Sequence, residues 1–74
     1  MDEKTLIAKW KDLGYIWARV GNGDVILRGD YTDFEFCIKY KEIKVSHHSF
    51  CIHYITMEVL DLINKTVEWL GWNR

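Results

Sequence analysis

Residues 21–24 constrain the fold most, because they place Asn-Gly between two segments of strand-forming residues. Asn-Gly is the pair that two-residue type I′ turns favour. Residues 15–20 and 25–28 on either side are rich in β-branched and aromatic side chains. A two-residue loop would place Val20 opposite Val25 and Trp17 opposite Arg28. The sequence therefore predicts a β-hairpin in this register.

The predicted register assigns the hairpin side chains to two faces, because successive residues of a strand point to opposite sides of a sheet. The predicted core face carries Ile16, Ala18, Val20, Val25 and Leu27. The predicted open face carries Tyr15, Trp17, Arg19, Ile26 and Arg28. The open face would then combine aromatic rings with cations.

A helix is expected at each end of the chain. Residues 3–13 carry apolar side chains at helical spacing, with Asp2 in position to cap the N-terminus. Thr56 is the expected cap of a second helix, which has a broad apolar stripe. Gly14 and Gly71 each follow a leucine and precede an aromatic residue, which is typical of a glycine-terminated helix.

The middle of the chain alternates between apolar and polar residues, first from Phe34 to Tyr40 and then around Ile43 and Val45. The apolar residues occupy odd-numbered positions at Ile43 and Val45 but even-numbered positions in residues 50–54. This change indicates a break followed by a further strand. The alternative is that the last helix begins in this region. The expected architecture is a single α+β domain over residues 1–74, an antiparallel sheet of three to four strands with the N- and C-terminal helices packed on one face, in the order α-β-β-β-(β)-α.

The charge balance argues against a protein that mainly neutralises phosphates. Ten basic and eleven acidic residues give a formal net charge of −1. The sequence has no apolar run of membrane-spanning length and no signal-like N-terminus. It has only two cysteines. These features predict a cytoplasmic protein, and no cofactor is expected.

Cysteine and histidine residues give the one pattern that could support chemistry. Cys37, Cys51 and His53 could converge on a metal ion or form a thiol–imidazole pair, with His47 and His48 nearby. None of the usual close ligand pairs, such as Cys-x-x-Cys, anchors such a site. The sequence therefore predicts a protein that is not an enzyme and has no metal site, with a small metal- or thiol-dependent protein as an alternative.

Eleven aromatic residues are more than a core of this size can hold. Those expected in the core are Trp10, Phe34, Phe36, Phe50 and Trp69. Those expected to be exposed or at its edge are Tyr15, Trp17, Tyr31, Tyr54 and Trp72. Tyrosine, tryptophan and arginine dominate binding hot spots. The predicted partner-binding residues are Tyr15, Trp17, Arg19, Arg28, Lys39, Trp69 and Trp72.

The function expected from these features is protein binding, with another protein or a second copy of the chain as partner. The size and composition are typical of phage or mobile-element products that occlude a host protein, as anti-CRISPR proteins do. The alternative is a nucleic-acid-binding module that uses the open sheet face, since single-strand binders combine stacking rings with cations. Trp17, Arg19, Arg28 and Lys39 would carry that second function.

Overall fold

The computed structural model describes residues 1–48 and 54–72. The elements in chain order are α1 (Glu3–Asp12), β1 (Ile16–Arg19), β2 (Val25–Arg28), β3 (Thr32–Cys37), β4 (Glu42–His47) and α2 (Met57–Trp69). The strand predicted over residues 50–54 falls outside the described residues except for Tyr54, which is not part of a strand.

The four strands form one sheet in the order β1-β2-β3-β4, and each pairs antiparallel with the next. One helix precedes the sheet and the other follows it, so the predicted α+β architecture is confirmed. Neither α1 nor α2 has the length and apolar content that crossing a membrane requires.

Both helices begin and end as their sequences predict. Asp2 accepts a hydrogen bond from the Thr5 amide at 2.8 Å, and Thr56 accepts one from the Val59 amide at 3.2 Å. At the other ends, the Tyr15 amide donates to the Trp10 carbonyl and the Trp72 amide donates to the Val67 carbonyl. These are the long hydrogen bonds of a Schellman motif, and they turn an aromatic residue back toward the last turn of each helix.

The β1–β2 hairpin forms, but its predicted register is wrong by one residue. Arg19 pairs with Val25 and Trp17 pairs with Leu27. The Gly23 amide donates to the Val20 carbonyl at 2.8 Å, and Gly23 has a φ of +92°. This is a three-residue loop, a turn followed by a left-handed glycine that forms a bulge, instead of the expected two-residue type I′ turn.

The one-residue shift moves every β1 side chain to the other face of the sheet. Trp17 and Arg19 therefore lie on the helix-facing side beside Val25 and Leu27, which corrects the prediction that they lie on the open face. Ile16 is 69% exposed, although it was expected in the core. The open face carries Ile16, Ala18, Ile26, Arg28, Asp33, Glu35, Cys37, Glu42 and Lys44.

Strand β3 ends at Cys37, so the alternation from Ile38 to Tyr40 lies in a turn instead of the predicted strand. The buried carboxylate of Asp24 accepts a hydrogen bond from the Ile38 amide at 2.9 Å. Lys41 has a φ of +53°, which reverses the chain into β4. The side chain of Asp24 thus connects the first hairpin to the second.

The core lies between the two helices and the covered face of the sheet. Trp10 and Phe36 are fully buried and Phe34 is 1% exposed, as expected, whereas Phe50 lies outside the described residues. The remaining buried apolar side chains are Leu6, Val25, Leu27, Val59, Leu62 and Ile63. Trp69 is only partly buried and packs against this core from its edge.

Candidate protein-binding site

Three of the predicted binding residues, Trp17, Arg19 and Trp69, contact one another at the edge of the core, where the Arg19 side chain is still 45% exposed. The Trp17 and Trp69 rings meet edge to face with centroids 5.7 Å apart. The Arg19 guanidinium lies 5.6 Å from the centre of the Trp69 ring and forms a salt bridge with Glu3 at 2.9 Å. These contacts connect β1 with an end of each helix, so the cluster stabilises the fold.

The rings of two further predicted binding residues also contact aromatic side chains of the core. Trp72 lies with its ring centre 6.1 Å from that of Phe36. Tyr15 meets Trp10 at 5.2 Å and Phe34 at 5.6 Å. Both residues are partly buried and pack against the core, which agrees with the expectation that they lie at its edge.

The last two predicted binding residues, Arg28 and Lys39, are exposed but lie apart from the others. Arg28 is on the open face, paired with Asp33 of β3. Lys39 lies in the turn before β4, where its ammonium is 5.4 Å from the centre of the Tyr40 ring. The structure therefore does not bring the seven residues together on one surface, and the predicted face of rings and cations does not form.

Four of the ten exposed large apolar side chains in the described part of the chain lie before α2, at its start and in the β2–β3 turn, and the other six are spread over the rest of the surface. Tyr54 is 86% exposed, Met57 77%, Tyr31 57% and Ile55 52%. Exposure of Tyr31 and Tyr54 was expected, but the sequence did not indicate that they share a site with Ile55. We call Tyr31, Tyr54, Ile55 and Met57 the tyrosine rim.

A cleft of about 300 Å³ lies at this end of the molecule, and we call it the tyrosine cleft. It is bounded by the end of α1, the start of β1, the β2–β3 turn, the end of β4 and the residues before α2. Its lining residues are Leu13, Gly14, Tyr15, Gly29, Asp30, Tyr31, Thr32, Phe34, His47, Tyr54 and Ile55. Tyr31, Tyr54 and Ile55 of the rim thus belong to the cleft, and Met57 follows them at the start of α2.

Tyr15 lines the cleft where it meets the core, and Gly29 allows its ring to lie there. A Cβ atom built on Gly29 would be 2.7 Å from both the Thr32 carbonyl oxygen and Cε1 of Tyr15. Real side-chain contacts are not this close, so only glycine fits between the turn and the ring. Tyr15 is consequently held between this turn, Trp10 and Phe34.

Polar groups of the same region are ordered by hydrogen bonds. Thr32 Oγ1 and His47 Nδ1 are 3.3 Å apart. Asp33 accepts a hydrogen bond from the Gly29 amide at 3.2 Å, and its other oxygen is 2.9 Å from His48 Nε2. Burial, with the charge of Asp33 as a smaller cause, raises the pKa of the Tyr15 hydroxyl above its ordinary value. Tyr15 is therefore a neutral hydrogen-bonding group at physiological pH.

A second polar cluster lies on the open face, where one ligand atom each from Asp24, Glu35 and Cys37 lie within 4.8 Å of one another. Both Asp24 oxygens are already in use: Oδ1 accepts from the Ile38 amide at 2.9 Å, and Oδ2 accepts from the Asn22 side chain at 3.1 Å. The Cys37 thiol donates to Glu35 Oε2 at 3.3 Å.

The surroundings of Cys37 raise the pKa of its thiol, by desolvation first and then by the hydrogen bond to Glu35 and the nearby carboxylates. Metal ligation and nucleophilic attack both require the thiolate, which this environment disfavours. Cys51 and His53, the other residues of the predicted metal or thiol site, lie outside the described residues.

Comparisons with protein-family models, with curated proteins and with solved structures gave no significant match.

Proposed function

We propose that this chain is a non-enzymatic protein-binding module whose contact surface is the tyrosine rim. The observation that carries the proposal is that three large, mostly exposed side chains, Tyr31, Tyr54 and Ile55, line one cleft, with the exposed Met57 following at the start of α2. Exposed apolar patches of this kind are typical of interaction surfaces. Tyrosine is also enriched among the residues that dominate binding energy.

The fold suits a module that acts by covering its partner. The cleft is built on the ends of α1, β1 and β4 and on the β2–β3 turn, and Tyr15 beneath it is packed against the core. Tyr15, which is held against the core, therefore loses little conformational entropy on binding. The narrower proposal is that the covered protein is a host factor, so that the chain is an anti-CRISPR-like inhibitor from a phage or mobile element. Its support is the size and composition of the chain.

The proposal is tested by affinity capture from lysate with two variants of the tagged chain. The rim variant Tyr54→Ala/Met57→Ala removes one aromatic and one aliphatic side chain from the tyrosine rim. The control variant Tyr40→Ala/Ile16→Ala removes the same two kinds of side chain, 65% and 69% exposed, from other parts of the surface. Circular dichroism verifies that both variants fold.

We expect one captured protein to be retained by the control variant and lost by the rim variant. Titration calorimetry with that purified protein should then give a 1:1 complex whose affinity falls about tenfold or more in the rim variant, as for truncation of a hot-spot residue. Equal capture by both variants would contradict the proposed surface.

Affinity capture and light scattering together distinguish the other predicted partners. Capture of nucleic acid would favour the alternative function, although the open face carries Asp33, Glu35 and Glu42 among its cations. Homodimer formation is tested by light scattering, which would give twice the 8.9 kDa mass of the chain. A dimer that the rim variant converts to monomer would make a second copy the partner of the tyrosine rim.

A further inference from the structure

The lining of the tyrosine cleft combines aromatic rings with a single carboxylate and the imidazole of His47. Tyr15, Tyr31, Tyr54 and Phe34 contribute the rings. Asp30 is the one Asp, Glu, Lys or Arg among the lining residues, and it forms no salt bridge with any residue in the described ranges 1–48 and 54–72. A cleft of this composition attracts cations, since aromatic faces and a carboxylate both favour positive charge.

We propose that the tyrosine cleft binds a cationic side chain, the ammonium of a lysine or the guanidinium of an arginine, from a basic segment of the protein partner. The inference rests on the proposed function and names the chemistry that its surface recognises. The aliphatic stem of such a side chain would pack along Leu13 and Ile55, while its charged end lies near the tyrosine rings and Asp30.

The C-terminal end of α1 and the charge of Asp33 add negative potential at the cleft. Helix α1 ends at Asp12, and the following Leu13 and Gly14 line the cleft, so the carbonyl end of the helix dipole lies beside it. The basic residues in the last turn of α1, Lys9 and Lys11, are not among the lining residues. The charge of Asp33 also contributes to the raised pKa of Tyr15, so its negative field reaches a ring of the cleft.

The volume of the cleft is sufficient for one long side chain. Pockets for drug-sized ligands range from about 300 to 1,000 Å³, and the cleft of about 300 Å³ is at the lower limit. The exposed rim then lies around the bound side chain and contacts the rest of the partner. An anionic side chain would meet Asp30 and the carbonyl end of α1, which both repel it.

The test is a titration of the isotopically labelled chain, followed by two-dimensional ¹H–¹⁵N NMR, with four single-residue probes. These are the N-acetyl amides of lysine, arginine, norleucine and glutamate, of which norleucine has the four-carbon stem of lysine without its ammonium. We expect the lysine and arginine amides to shift the backbone signals of Gly14, Asp30 and Thr32. Norleucine amide should bind several-fold more weakly, and glutamate amide should leave these signals unchanged.

Two variants link the binding to named residues. Asp30→Asn should weaken binding of the lysine amide about two- to fivefold, the range for an exposed ion pair, and leave norleucine amide unaffected. Glu68→Gln removes the same charge from α2, outside the cleft, and should change nothing. Tyr54→Ala should weaken binding of both cations, because it removes one of the aromatic rings that line the cleft. Preserved signal dispersion verifies folding.

Three outcomes would overturn the cation inference. They are equal affinity for norleucine and lysine amides, preference for glutamate amide, and shifts confined to signals outside the cleft. If the cation inference fails while the rim variant still loses a captured protein, the proposed function stands with a different ligand in the cleft. If the cations bind but the rim variant captures the same proteins as the control, the cleft is a cation site and the proposed function is wrong.

Discussion

At the scale of single residues, the hydrogen bond between Trp10 and Thr66 is the most consequential contact between the helices. Both residues are fully buried. Trp10 Nε1 donates to Thr66 Oγ1 at 3.0 Å, and this hydroxyl donates to the Leu62 carbonyl at 2.7 Å. Thr66→Val preserves the shape but leaves a buried indole N–H without its acceptor. We expect the free energy of unfolding, measured in urea by circular dichroism, to fall by about 1–3 kcal/mol.

The matched control for this residue is Thr66→Ser, which keeps the hydroxyl and removes one methyl group. Its expected cost is about 1 kcal/mol, the value for burying one methylene-sized group. The serine variant should therefore be the more stable of the two. If the valine variant equals the natural protein in stability, the hydrogen bond makes no net contribution to folding.

At the scale of elements, the β1–β2 hairpin depends on the left-handed conformation of Gly23. A Cβ atom there would approach only Arg19 Nη2, at 3.9 Å, so substitution meets open space but a disfavoured backbone conformation. Gly23→Ala should destabilise the chain by about 1–2 kcal/mol. Gly21→Ala, in the same loop without a positive φ, should be neutral or stabilise by up to about 1 kcal/mol. Urea denaturation of both variants measures the difference.

Equal stabilities of the two alanine variants would show that the loop does not require a left-handed residue at position 23. If Gly21→Ala loses more stability than Gly23→Ala, the strained backbone position is residue 21. That result would be incompatible with the pairing of Arg19 with Val25.

The same hairpin shows why the elements could be predicted and the site could not. Helix ends follow from local chemistry, and Asp2, Thr56 and both terminal glycines act as the sequence indicates. The register of β1 depends on contacts distant in sequence. Asn22 and Gly23 are compatible with loops of two or three residues, and the three-residue loop buries Trp17 against Trp69.

The predicted placement of candidate binding residues on the open face was wrong for the same reason. Three predicted binding residues, Tyr15, Trp17 and Arg19, lie in or next to β1, and the one-residue shift placed them on the covered face. Tyr31 and Tyr54 were predicted to be exposed, and they are. Their proximity to Ile55 results from the way the β2–β3 turn meets the residues before α2, which no local pattern of residues encodes.

At the scale of the whole molecule, aromatic contacts join both helices to the sheet, so the 74 residues should unfold as one unit. Trp10 connects α1 to α2 through Thr66, Trp17 meets Trp69 of α2, and Phe36 meets Trp72. Thermal unfolding followed by far-ultraviolet circular dichroism and by tryptophan fluorescence should therefore give coincident curves. The van't Hoff enthalpy at the midpoint should be about 50 kcal/mol for a chain of this length.

The Gly23→Ala variant gives a second test of the prediction that the chain unfolds as one unit. The substitution lies at the tip of one hairpin, distant in sequence from α2. It should nevertheless lower the thermal unfolding midpoint by the same number of degrees in circular dichroism and in fluorescence. Loss of fluorescence before loss of helical signal, or a shift in one probe alone, would show that the hairpin and α2 unfold separately. In that event the single-domain prediction for residues 1–74 is wrong, and the tyrosine cleft lies where two independently unfolding parts meet.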